Sequence, residues 1–410
     1  MVNKKKSKKN KNKSTVRNVN NETIAALKRL SVALKELDNR GASSTTSTNA
    51  GVALSHYSIL PEEVTQSYKM LQDGASAIQT ISTKYTLMAK ISLEDGSTFA
   101  SELRQGCELI STATFLVHQP ISGCGRSTRT YLKSKSLAIV NSVTSLIEAF
   151  VSGEALNGNV GAQLTGAVWQ ACEAAESLPK GNRACMRRDL FSWVRECNDT
   201  MEEFQVLVDL GPADGDNDDD DVNGGGQEDE DARWDDFCNN PGTGEQYTDK
   251  EMPIVEASLA LIKCSRGILN LSLKACDCAS DEVEKNGDNQ DTDRKMQNMR
   301  WISNIHQISR KVGEGATDLG CIMYPPLNLS LRTQDGTNDT KWQHTDIGSQ
   351  ILEQSNNLLS AAHLIDNPIL SEGQQQIKMS VEIEEMCSKL LSAIERRTNE
   401  AKEAIDDVLL

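Results

Sequence analysis

Histidine and cysteine supply most metal ligands and many nucleophiles, so their spacing is the first test for chemistry. His56, His118, His306, His344 and His363 never fall three to five residues apart, so no helix offers two imidazoles to one ion. They read as surface or bundle-edge side chains. Of the eleven cysteines, none sits in a Cys-x-x-Cys pair followed by a second at zinc-site spacing. Cys276-Asp277-Cys278 is the one close pair. The cysteines therefore read as small buried hydrophobes of a reducing compartment, not as disulfides or zinc ligands. Neither a phosphate-cradling Gly-x-x-x-x-Gly-Lys-Ser/Thr loop nor a Gly-x-Gly-x-x-Gly turn is present. Asp219, Asp221, Asn223, Gly224 and Glu230 match a calcium-loop template, but Gly226 stands where that loop needs an apolar residue. This reading predicts no catalytic residue, no cofactor, no metal and no small-molecule substrate, and hence a protein that is not an enzyme.

Charge marks the candidate interaction sites. The chain has 43 Lys+Arg against 59 Asp+Glu, a net charge of -16, but the distribution is uneven. Lys4, Lys5, Lys6, Lys8, Lys9, Lys11 and Lys13 form a basic tract that is a candidate nuclear-import signal, with a solubilising tail as the alternative. No aromatic residue interleaves it, so no sequence-specific nucleic-acid role is expected. Asp209 to Asp236 holds thirteen acids and one base; like charges at this density repel one another and keep the chain extended. Trp234 and Phe237 lie among those acids and are candidate anchors for a basic partner. Arg188-Asp189-Leu190-Phe191 has the form of a cyclin-docking peptide, but Leu190 lies on an apolar helical seam and reads as core.

The elements that must position these residues repeat apolar side chains at alternating spacings of three and four, the period of a helix with one buried face. Val64, Tyr68, Leu71, Ala75, Ile78 and Tyr85 mark one seam, with Ser82 as its polar step; Leu137, Val140, Thr144, Ile147 and Val151 mark another. Met186, Leu190, Trp193, Cys197, Met201, Phe204 and Val208 form a third, and Ile254 to Cys278 a longer one. Tyr324-Pro325-Pro326 stops the helix through Trp301 and Ile322, since proline lacks the amide donor. About six helices are expected before the acidic stretch and four after it. Long helices joined by short polar turns pack as antiparallel neighbours, so the fold class expected is all-α, two up-and-down bundles joined by a disordered acidic loop. The boundaries expected are a basic unfolded tail over 1–21, a first bundle over 22–208, an acidic linker over 209–248 and a second bundle over 249–410. Apolar runs of about four residues, such as Leu137 to Val140, exclude a membrane-spanning helix, and the first thirty residues carry no secretory signal pattern.

Val168-Trp169-Gln170-Ala171-Cys172, then Leu178-Pro179 and Asn182, then Asp199-Thr200-Met201-Glu202-Glu203, resemble the cyclin-D-binding family of helical cell-cycle regulators. Asp318-Leu319, Ile322, Tyr324-Pro325-Pro326 and Leu329 resemble that family's Tyr-Pro-Pro segment. Trp169, Cys172, Tyr324, Pro325 and Pro326 are the residues that carry the match. The resemblance implies bundles like those of vinculin and talin, location in nucleus and cytoplasm, a D-type cyclin or other cell-cycle protein as partner, a helix-mediated dimer and restraint of the cell cycle. It provides no residue-level cyclin site. A cytoskeletal adaptor and an acidic-loop chaperone for basic nuclear proteins are the alternative functions.

Overall fold

The computed structural model describes residues 2–37, 54–156, 158–212, 246–285, 292–329, 342–367 and 379–409. The described residues are almost entirely helical and contain no strand. The helices are α1 (Val2–Lys35), α2 (Glu62–Ile91), α3 (Leu93–His118), α4 (Arg126–Ser152), α5 (Val160–Glu176), α6 (Gly181–Asp209), α7 (Met252–Lys285), α8 (Thr292–Cys321), α9 (Asp346–Asp366) and α10 (Val381–Leu409). Six precede the acidic stretch and four follow it among the described residues, as the periodicity predicts. The all-α bundle class is borne out. The acidic run from Asp214, the calcium-loop match, Trp234 and Phe237 lie outside the described residues.

Through the basic segment α1 runs unbroken from Val2 to Lys35. No Gly or Pro interrupts it, and Lys loses little side-chain freedom in a helix. The backbone carrying Lys4 to Lys13 is thus helical, while the side chains there lie outside the described residues.

Contacts divide the chain into two units. Unit 1 comprises Met1–Arg188 with Thr292–Ser303, and unit 2 comprises Asp189–Asp291 with Asn304–Leu410. The division falls inside α6 and α8. The seam of α6 runs on through Leu190, Cys197 and Phe204, all buried, so no shift in composition marks the point of division.

In unit 1, α2 and α3 form an antiparallel hairpin, α5 packs on α2 and α4, and α1 lies against α3 and α4. The hairpin turns on a single residue. Ser92 is the extended C-cap of α2 and also the N-cap of α3, its Oγ accepting from Glu94 N at 3.1 Å. Val64, Tyr68, Leu71, Ala75, Ile78 and Tyr85 are all buried, and Tyr85 meets Phe150 edge-on with centroids 5.4 Å apart. The hairpin is close because a side chain is missing: a Cβ on Gly106 would lie 2.6 Å from Cγ1 of Ile78. Ser82 and Thr86 on the α2 seam find partners, one within its own helix and one across helices. Ser82 donates to Gln79 O at 2.9 Å, and the Thr86 and Thr165 hydroxyls pair across helices at 2.6 Å.

In unit 2, α7 buries Ile254, Leu261, Ile268 and Leu271 and packs against α9 and α10. Gln354 of α9 is fully buried and donates from Nε2 to Ser265 Oγ at 2.8 Å and to Val312 O at 2.9 Å, so one amide ties α9 to α7 and α8. Along α10, Ile383, Cys387, Ile394, Ala401 and Ile405 form the buried stripe.

Candidate interaction surface

Trp169 and Cys172 sit on α5 and face different surroundings. Cys172 is fully buried beside Val168, and burial pushes its thiol up to about 12, so it is a packing residue without nucleophilic character at neutral pH. Trp169 is 44% exposed, and its Nε1 donates to the Gln79 carbonyl of α2 at 3.2 Å. The indole therefore braces α5 on α2 while leaving part of its ring open to solvent.

The next motif residues form a clamp. The Tyr68 hydroxyl donates to Pro179 O at 3.1 Å and accepts from Gly181 N at 3.1 Å, which holds the turn from α5 into α6. Asn182 is 1% exposed. Its Oδ1 accepts from Gly125 N at 2.7 Å and from Thr128 Oγ1 at 2.9 Å, and its Nδ2 donates to His56 O at 2.8 Å and to Gly123 O at 3.1 Å. One amide thus joins residues 54–61, the turn before α4 and the start of α6. Gly123 is required at that turn. Its φ is +60°, and a Cβ there would lie 1.6 Å from Ser55 Oγ.

In unit 2 the fold brings together two motif segments that are far apart in sequence. Tyr324, 45% exposed, donates its hydroxyl to Glu203 Oε1, and its ring lies 5.0 Å from that of Phe204. The bond to the carboxylate pushes the phenol up to about 12, with burial a smaller cause. The residues on either side of Tyr-Pro-Pro are held as well: Tyr247 OH donates to Met323 O at 2.5 Å, and Leu327 N donates to Glu251 Oε1 at 2.7 Å. Glu251 is also the far half of a capping box, its Oε2 accepting from Thr248 N at 2.8 Å while its own amide donates to Thr248 Oγ1 at 3.3 Å. The sequence reading missed these residues, although Thr248-Asp249-Lys250-Glu251 is the Thr-x-x-Glu pattern of a helix start.

The other candidates separate in the structure. Leu190 is 1% exposed within α6 while Phe191 is 51% exposed, so Arg188 to Phe191 is helical and Leu190 is core, as its seam position predicts. His56 corrects the reading of all five histidines as surface or edge residues, since it is 7% exposed. Its backbone is drawn in by the bond to Asn182, and burial, then the Lys295 charge, lowers its pKa. Among the described cysteines eight are buried, Cys278 is intermediate and Cys321 exposed. Among the described residues no group of three or more His, Cys, Asp or Glu is arranged to hold a metal ion, and no helix is long and apolar enough to cross a membrane.

The fold and these residues define a class first: a helical-bundle protein whose distinctive side chains clamp loops and brace helices. Residues 70–210 match the family model described as Grap2 and cyclin-D-interacting, N-terminal, and this match bears out the resemblance to the cyclin-D-interacting family. It covers Trp169, Cys172, Asn182 and the Asp199 to Glu203 stretch; the Tyr324 to Pro326 segment lies beyond it. No curated protein matches the chain.

Proposed function

We propose that this chain is a non-enzymatic regulator that binds a D-type cyclin and thereby restrains cell-cycle progression. The observation that carries the reading is the family match over residues 70–210. The fold agrees with it, since the motif residues are engaged in packing and loop clamping. Purified full-length chain mixed with a D-type cyclin should co-elute as a stoichiometric complex, and its expression in cycling cells should delay entry into DNA synthesis. Co-sedimentation with actin filaments and no cyclin complex would favour the cytoskeletal adaptor instead. Binding to histones that disappears when Asp214 to Asp236 is deleted would favour the chaperone.

Residence in both nucleus and cytoplasm belongs to the same proposal, with Lys4, Lys5, Lys6, Lys8, Lys9, Lys11 and Lys13 as the import signal. A fluorescent fusion in which these lysines are replaced by glutamine should shift to the cytoplasm; unchanged nuclear signal would remove the role from them. Dimerisation through helices is checked by sedimentation equilibrium of the full chain.

A further inference from the structure

One end of unit 1 is made of three loops joined by Asn182: residues 54–61, the turn from Gln119 to Gly125, and the turn from Leu178 into α6. Two of these loops present bare aliphatic side chains. Ile121 is 94% exposed and Ile59 is 71% exposed, whereas Leu54 and Tyr57, in the same loop as Ile59, are 3% and 4% exposed. The loops are not loosely placed, because the Asn182 amide bonds to both. Covering these isoleucines with a partner removes apolar area from water, which favours association.

Cations lie in or next to the segments that carry the two isoleucines. Arg129 donates to Gln119 O at 3.3 Å, two residues from Ile121, and Arg183 donates to Ser58 Oγ at 3.5 Å, next to Ile59. Arg126 and Lys180 are exposed at the starts of α4 and α6, and among the described residues neither forms an ion pair with a carboxylate. No acid occurs between Glu108 and Glu148 or between Glu176 and Asp189. The nearest acids in sequence to residues 54–61 are Glu62 and Glu63, which open α2. A basic, aliphatic end therefore stands on a chain whose net charge is -16.

We infer that this loop end is a docking surface for an acidic segment of a partner protein, with carboxylates seated on Arg126 and Lys180 and an apolar side chain on Ile59 and Ile121. The inference deepens the proposed function and rests on the reading of the chain as an interaction protein. A peptide suits the surface better than other polyanions. The isoleucines offer nothing to a phosphodiester backbone, and no exposed aromatic ring lies among the six residues named here to stack on a base. An anionic bilayer extends past the basic end and meets the remaining negative charge of the chain, which it repels. A short acidic segment meets the basic end alone.

The test uses the full chain and a short fluorescent peptide of Asp, Glu, Leu and Phe, followed by anisotropy. Two double variants are compared, Arg126→Glu with Lys180→Glu and Ile59→Ser with Ile121→Ser, all at exposed positions; unchanged circular dichroism and melting confirm folding. Each double variant should weaken peptide binding about tenfold or more, equivalent to about 1.4 kcal/mol, and binding to the wild type should fall as salt rises. No peptide binding by the wild type would overturn the inference, as would equal binding by all three proteins, which would locate the peptide elsewhere. Loss through the charge variant alone would also overturn it, leaving unspecific attraction. So would tighter binding of DNA or phosphatidylserine vesicles through the same residues. If peptide binding appears only after Asp214 to Asp236 is deleted, that segment and not a partner is the occupant. Cyclin binding is measured alongside: variants that still bind both cyclin and peptide sink the surface alone, whereas a wild type that binds the peptide through these residues but no cyclin sinks the proposed function alone.

Discussion

Replacing Asn182 by Ala should release one end of unit 1. The amide makes four hydrogen bonds at 2.7 to 3.1 Å from a position only 1% exposed. Each is worth roughly 0.5–1.5 kcal/mol net, and partners left buried without a bond move the loss toward the upper part of that range. The expected loss is about 2–5 kcal/mol. Hydrogen exchange resolved by segment is the suitable assay, because it reads unit 1 without mixing in the unfolding of unit 2. The Gly125 amide and the amides around His56 should exchange faster, while those of α7 stay unchanged. Asn182→Asp sharpens the test. It keeps the two accepted bonds but turns a carboxylate toward the His56 and Gly123 carbonyls, so burial and repulsion raise its folded pKa above the usual value of about 3.9. A raised folded pKa contributes stability that is present below the unfolded value and is lost as pH rises through the folded one. The Asp variant should therefore lie closest to wild type in acid and furthest from it at neutral pH. A loss under about 1 kcal/mol for Asn182→Ala, with unchanged exchange at Gly125, would refute the clamp.

Three further outcomes follow from the packing and the titrations. Tyr324 should ionise near pH 12 when followed by ultraviolet absorbance, and Glu203→Gln should bring it down toward about 10; since its folded pKa is raised, its contribution to stability is complete below about pH 10 and is lost as pH rises toward 12. Among the described cysteines, Cys321 should alkylate first in the native protein, whereas Cys172, with its thiol pushed up to about 12, should react only after unfolding; mass spectrometry of a time course decides this. Gly106→Ala gains about 1 kcal/mol of helix propensity but drives a methyl to 2.6 Å from Ile78 Cγ1, and overpacking costs about 1–3 kcal/mol. The midpoint of thermal unfolding should therefore fall, and a rise would mean that the hairpin opens without strain.

Much of the fold was legible because helix formation is local. The three-and-four spacing of Val64 to Tyr85 and of Ile254 to Ala275 needs only neighbouring residues to specify a buried face, and those faces are buried. Burial of most cysteines was legible for the same reason, since they lie on such faces. The loops were legible only as interruptions: Gly123-Cys124-Gly125 and Pro179-Lys180-Gly181 announce turns, but nothing in them names a partner.

The sequence by itself determined that the chain is built of helices, where most of them run, and which motif residues to compare with a family. Only the tertiary structure decided what those residues do. Asn182 finds His56 across 126 positions and Gly125 across 57, and Tyr324 finds Glu203 across 121. Such pairs depend on how amphipathic faces stack, and a helical period specifies which side of a helix is buried without specifying what covers it. The same reason hid the basic end of unit 1. Ile59, Ile121, Arg126 and Lys180 come from three separate segments of the chain, which the buried Asn182 amide holds together.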